Sequence, residues 1–287
     1  MSAAERVPRI RLSFSGQYAE LTRDDLTEAG VVLSTGSGPG GMAEQSHVEV
    51  GDPGYLLHDY THRMSSVLRA AAGRLWGSGE GGADPRPASA LHLGAGALTL
   101  PRWVEDRWPG CRQTVVDIEP ELVDFVLEHV PMANPPESVV ADAARVLGSG
   151  GALAGRAFDV VIVDLFNSAD APASLTYPEF FAQVCRALTP RGLLLMNLGD
   201  DAGMEFARAL SGTLLDAVGS SAGAAGAAEH ALLTAPDAVL SAREEGNLVF
   251  AATPAAPFTD FERQLIWAAG PHPGDVLSDA ELRSWAG

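Results

Sequence analysis

Four short apolar runs between residues 90 and 164 constrain this chain more than anything else in it. Ala90–Leu93 leads into Gly94, Thr114–Val116 into Asp117, Ser138–Val140 into Asp142, and Asp159–Val163 into Asp164. A stretch with helical spacing follows each. Apolar, largely β-branched segments that alternate with helices predict a parallel sheet covered by helices on both faces, an α/β, Rossmann-like architecture. Asp159–Val163 is almost wholly β-branched and reads as a strand buried on both faces. Sheets of this kind bind ligands at the carboxyl ends of their strands. The glycines and acids at those ends are therefore the candidate site.

Gly94 and Gly96 permit a tight turn and let a ligand lie against the backbone, and the helix that follows offers unpaired N–H groups. The chain has 31 glycines, so the spacing acquires meaning only from the acids after it. Asp117 can accept both hydroxyls of a ribose. Asp142 stands where class I methyltransferase-like folds face the adenine amino group; its alternative is to cap the next helix. Asp164 can hold an amine, orient its lone pair and take its proton, and its alternative is a loop cap.

Residues 1–54 read as a small antiparallel β appendage, with strands at Arg9–Phe14, Val31–Leu33 and His47–Val50 and a loop at Gly36–Gly41. Residues 55–287 read as the main domain. It opens with a helix from Tyr55 to Trp76, followed by a linker at Gly77–Pro87. Ala231–Ser241 and Asn247–Ala252 are expected to close the sheet as an antiparallel pair, after a surface loop at Ser220–Ala228. Helices are expected at Phe258–Ala269 and from Ser278. The formal charge of −18, from 19 basic and 37 acidic side chains, argues against nucleic acid and anionic membrane as partners and suits a cationic substrate. Two cysteines without C-x-x-C spacing and seven scattered histidines indicate no metal site. Without a leader segment or an apolar run long enough to span a bilayer, a cytoplasmic location is expected.

Taken together, Leu93-Gly-Ala-Gly-Ala-Leu-Thr-Leu-Pro-Arg102, Val115-Val-Asp-Ile-Glu-Pro-Glu-Leu-Val123, Ala141-Asp-Ala143, Phe158-Asp-Val-Val-Ile-Val-Asp164 and Leu175-Thr-Tyr-Pro-Glu-Phe-Phe181 resemble the spermidine synthases, the polyamine aminopropyltransferases. The resemblance extends upstream to Gln45-Ser-His-Val48 and His58-Asp59 and ends at Asn247-Leu-Val-Phe-Ala-Ala252. It implies an N-terminal β-domain before a class I methyltransferase-like core, a homodimer, and decarboxylated S-adenosylmethionine as cofactor. A putrescine-like small-molecule amine would attack the methylene beside the sulfonium. Carried over by position, Asp117 would hold the ribose, Asp142 the adenine, Gln45 the cofactor side and His58 the amine side. Asp164 would receive the attacking amine, and Asn167 and Tyr177 would lie near the substrate.

The chain departs from the family at the amine end. Ala97 replaces the acid that binds the aminopropyl ammonium, Asn167 replaces a second acid in the loop after the fourth strand, and Leu57 replaces a tyrosine. Ribose and adenine contacts survive while amine contacts thin out. Two further readings follow: methyl transfer from S-adenosylmethionine itself, because Ala97 no longer repels a cofactor carboxylate, and a nucleoside-binding homologue without turnover. Hydride transfer fits less well, since Ala97–Leu100 lacks the third glycine of G-x-G-x-x-G.

Overall fold

The computed structural model describes residues 7–38, 40–77, 85–166, 172–222 and 227–287. The chain begins with an antiparallel sheet in the order β1 (Arg9–Arg11), β2 (Tyr18–Arg23), β3 (Gly30–Gly36) and β4 (Met42–Glu49). The sequence reading had three strands here and missed β2. Its inward residues are only Ala19 and Leu21, both buried, and Ala and Glu are poor strand formers. A β-bulge interrupts the β3–β4 ladder: Leu33 pairs with Ser46 and Ser34 with Glu44, so Gln45 is the inserted residue. A bulge bends its strand and re-aims the neighbouring side chains.

Helix α1 (Asp59–Trp76) follows, then β5 (Ser89–Leu93), α2 (Thr99–Arg107), β6 (Arg112–Asp117), α3 (Leu122–His129), β7 (Glu137–Val140), α4 (Ala143–Val146) and β8 (Phe158–Phe166). The second half adds α5 (Pro178–Arg186), β9 (Leu188–Asp200), α6 (Glu205–Ala222), β10 (Ala231–Pro236), α7 (Asp237–Leu240), β11 (Gly246–Ala252), α8 (Asp260–Ala269), β12 (Gly274–Ser278) and α9 (Asp279–Ala286). Eight strands form one sheet in the order β12-β10-β11-β9-β8-β5-β6-β7. From β9 to β7 the strands are parallel; β11, β10 and β12 join antiparallel. This is the parallel α/β sheet that the four apolar runs predicted, in the class I methyltransferase-like form that the resemblance implied, with a separate small antiparallel sheet before it.

Several bounds differ from the sequence expectation: β1 stops at Arg11, short of Phe14, α1 begins at Asp59 and not at Tyr55, and α6 runs to Ala222, into the expected loop. The strand expected over Ala231–Ser241 stops at Pro236, and Asp237–Leu240 turns into α7, because proline cannot continue the ladder as a donor. The short edge strand β12, a Gly-Asp-Val-Leu-Ser segment just after two prolines, carried too little apolar pattern to be legible. The two-residue period of a strand is plain in the core. Val161 and Val163 of β8, with Leu194, Met196 and Leu198 of β9, pack under α5, α6 and α9. Val160, Ile162, Leu193 and Leu195 pack on the other face against α1, α2 and α8. Among the described residues no helix is long and apolar enough to cross a membrane.

The N-terminal sheet does not hang free. Leu12, Ala19, Leu21, Leu33 and Val48 belong to one apolar cluster with Ala95, Ala97, Leu98 and the inward face of α3. The apolar face of one layer thus covers the glycine turn of the other.

A polar pair sits inside the central sheet. His92 of β5 faces Gln113 of β6 (Nε2 to Oε1, 2.9 Å), and the Gln113 amide donates to the Pro101 carbonyl at 3.0 Å. Burial pulls the His92 imidazole down to about 4. The unfolded imidazole protonates near its ordinary value while the folded one stays neutral. Stability is therefore full above about pH 6.5 and falls, by about 3 kcal/mol, as the pH drops to about 4. Urea unfolding across this window is expected to show that loss, and His92→Leu to remove most of it. An unchanged pH slope in the variant would place the loss elsewhere.

Candidate active site

The turn after β5 brings three layers together. Gly94 (φ +99°) and Gly96 (φ +48°) take left-handed conformations, and Leu98 (φ 61°) does so at the entry to α2. A Cβ on Gly94 would stand 2.4 Å from the Asp164 carbonyl oxygen, and one on Gly96 would stand 2.6 Å from Ser46 Oγ. Both glycines therefore serve the chain's own close packing, one against the end of β8 and the other against β4. Ser46 Oγ accepts from the Ala97 amide at 2.9 Å, and Thr99 Oγ1 donates to the His47 carbonyl at 2.8 Å. The bulge at Gln45 sets this register.

Asp117, at the end of β6, accepts the Ala95 amide on Oδ2 and the Glu119 amide on Oδ1, both at 2.9 Å. Burial raises its carboxyl above the usual carboxylate range, against these two donors. Asp142, at the end of β7, caps α4 by accepting the Ala144 amide at 2.9 Å, and its other oxygen lies 3.6 Å from Arg145 Nε. The capping role weighed from the sequence is thus present, and the Asp142 side chain is still 38% exposed.

Asp164 lies near the carboxyl end of β8, on the other side of the glycine turn. Its Oδ1 accepts from Asn197 Nδ2 and its Oδ2 from the Tyr60 hydroxyl, both at 3.0 Å. Burial pushes the Asp164 carboxyl up, while Asn197, Tyr60 and the nearby His58 hold it down. The Tyr60 phenol is driven well above its ordinary value by its own burial and then by the Asp164 charge. The His58 ring stacks on Tyr60 (centroids 6.0 Å apart, 19° between planes), and its Nε2 lies 3.5 Å from Glu44. Burial lowers the His58 pKa, and Glu44 opposes that shift. Ser46, Tyr60, Gly94, Gly96, Thr99 and Asp164 line a cavity of about 20 Å³, room for about one water.

The structure thus gathers Gly94, Gly96, Asp117 and Asp164 around one turn and sets His58 beside Tyr60. Gln45 donates to the Ala43 carbonyl at 3.4 Å, and its neighbour Ser46 is the residue that reaches the turn. Tyr177 caps α5 and is 55% exposed. Asn167 lies outside the described residues. The sequence reading missed Tyr60, Asn197 and Ser46 as site residues. Helical spacing puts Tyr60 on the apolar face of α1 with Met64, Val67 and Leu68, which hides its polar role. Asn197 did carry a signal, as the single polar residue in the buried run Leu193–Leu198, because a buried amide needs a partner. Among the described residues no cluster of His, Cys, Asp and Glu is placed to hold a metal.

No protein-family model matches the chain. The polyamine aminopropyltransferase of Chromobacterium violaceum is 25% identical over 199 residues, 68% of this chain and 63% of that protein. The polyamine aminopropyltransferase of Pyrobaculum aerophilum is 31% identical over 124 residues, 40% of this chain and 43% of that one. The matches span less than two thirds of either relative. A crystal structure of a probable spermidine synthase from Corynebacterium glutamicum superposes with a TM-score of 0.80 at 25% identity, covering 99% of this chain and 95% of that one. Human methyltransferase-like protein 13, solved in complex with SAH, shares the fold at a TM-score of 0.50 and 19% identity, over 73% and 87% of the two chains. In sequence and in fold the chain is thus similar to proteins named polyamine aminopropyltransferase and spermidine synthase, at 25–31% identity.

Proposed function

We propose that the chain is a transferase of the spermidine synthase type. In this reading it binds decarboxylated S-adenosylmethionine and passes the aminopropyl group to a small polyamine such as putrescine. The observation that carries this reading is Asp164: a buried carboxylate at a strand end, next to a glycine turn, held by two neutral donors and paired with no cation among the described residues.

The residues present fit the nucleoside part of such a cofactor. Each Asp117 oxygen takes one backbone donor, and a carboxylate has about four acceptor positions, so two remain for ribose hydroxyls. The exposed part of Asp142 keeps an acceptor for an adenine amino group. When bound, the sulfonium cofactor supplies an electrophilic carbon and a neutral thioether leaving group. Asp164 accepts an N–H of the incoming amine, turns its lone pair toward the reacting carbon, and takes the proton. Burial makes Asp164 a stronger base than a surface carboxylate, which moves its working range toward neutral pH. Tyr60 and Asn197 favour the ionised form and fix its orientation. The surplus of acidic side chains attracts a cationic amine.

One observation favours a second reading. Ala97 is buried, at 2% exposure, where the family carries an acid for the cofactor ammonium. The Ala97 side chain carries no charge to oppose the carboxylate of intact S-adenosylmethionine, so methyl transfer is the alternative. The chain is further proposed to act as a homodimer, as the resemblance to the spermidine synthases implies.

Calorimetric titration with decarboxylated S-adenosylmethionine, S-adenosylmethionine and methylthioadenosine, each with and without putrescine, tests the assignment. Binding of the decarboxylated form strengthened by putrescine is expected; preference for the intact form would transfer the case to methylation. Nucleoside binding without turnover would leave a non-catalytic homologue.

Asp164→Asn is expected to lower product formation at least about 100-fold with nucleoside affinity kept. Activity should fall as the pH drops through the Asp164 pKa. Tyr60→Phe removes a donor that favours the ionised form, so its acid limb should move to higher pH. An acid limb that stays in place would remove Asp164 as the titrating base. Sedimentation at micromolar concentration is expected to show a dimer, and a monomer would withdraw the dimer proposal.

A further inference from the structure

The turn between β1 and β2 is tied by its backbone to the segment between β6 and α3 of the main domain. Leu12 and Gln17 close the turn (N to O, 2.8 Å), and Gly16 at φ +74° completes it. The three amides inside the turn point outward in succession. Ser13 N–H donates to Glu121 Oε2 at 3.1 Å, Phe14 N–H to Glu119 Oε2 at 3.1 Å, and Ser15 N–H to Glu119 Oε1 at 2.9 Å. Consecutive N–H groups of this kind form a concave receptor for an anion, and here the anion is a side chain more than 100 residues away. Glu119 is only 8% exposed, so both its oxygens are held away from solvent.

Glu119 has a second attachment through its own backbone. Its amide donates to Asp117 Oδ1, while the Ala95 amide of the glycine turn donates to Asp117 Oδ2, both at 2.9 Å. The order of contacts is therefore β1–β2 turn, Glu119 carboxylate, Glu119 amide, Asp117 carboxylate, glycine turn. A carboxylate whose two oxygens are gripped from opposite sides has its plane fixed by both grips. We infer that Glu119 is a positioning residue: by docking in the amide receptor of the β1–β2 turn, it sets the orientation of Asp117 and couples the N-terminal sheet to the nucleoside end of the site. The part of this that concerns a nucleoside rests on the proposed function. The coupling from the β1–β2 turn to the glycine turn does not.

Amide hydrogen exchange on the full chain separates the two. Glu119→Ala is expected to speed exchange at Phe14 and Ser15, and also at Ala95, each by about tenfold. Affinity for methylthioadenosine should fall by a similar factor. Glu121→Ala should speed exchange at Ser13 and leave Ala95 unchanged. Should Glu119→Ala fold poorly, Glu119→Gln keeps the volume and one acceptor oxygen and is expected to show the same pattern at reduced size. Faster exchange at Phe14 and Ser15 with Ala95 unchanged would overturn the inference, because the β1–β2 turn would then be anchored without positioning anything. Faster exchange at Ala95 in a chain that binds no methylthioadenosine would uphold the coupling and remove the nucleoside reading instead.

Discussion

The structure depends on how closely the turn at Gly94–Leu98 can approach its neighbours. Gly94 lies against the backbone of β8 at Asp164, and Gly96 lies against the Ser46 side chain of β4. A Cβ on Gly94 would collide with the β8 backbone and one on Gly96 would displace the Ser46 hydroxyl, and both positions have positive φ, where side chains are strained as well. Because the turn can come this near, its amides reach Asp117 on one side and Ser46 on the other. Asp117 and Asp164 are thereby brought to one short piece of backbone.

That approach also explains why the N-terminal sheet is more than an ornament. Its inward residues share an apolar cluster with the glycine turn and α3, and its polar contacts lead to the strand ends through Ser46, Thr99 and Glu119. The electrostatic balance at Asp164 follows the same logic. Hydrogen bonds to a charged group contribute about 1.5–3 kcal/mol each, and Asp164 has two, from Tyr60 and Asn197. Its pKa is nonetheless raised, so the loss of solvation outweighs both donors. A carboxylate in that state is poised to gain a proton or a cationic partner, which suits a site that receives an amine.

Much of the scaffold could be read before any coordinates. The runs ending at Leu93, Asp117, Asp142 and Asp164 all became strands at one sheet edge, because alternating apolar runs and helices leave few other arrangements. The positions of Asp117 and Asp164 at those ends, beside the glycine turn, were legible too. β2 and β12 were not, since Tyr18–Arg23 and Gly274–Ser278 carry too few apolar residues to stand out from loops. Tyr60 could not be told from a packing residue on α1, because helical spacing reports which face is buried and not what the face meets.

The sequence by itself determined the parallel sheet, its order of strands and helices, and the carboxylates at its rim, because periodicity and turn residues are local properties. Only the tertiary structure decided which donors those carboxylates meet. Asp164 finds Tyr60 and Asn197 from elements 104 and 33 residues away. Asp117 is braced through Glu119 by a turn more than 100 residues upstream. Contacts across such distances depend on how layers pack, and no local pattern in the chain records them.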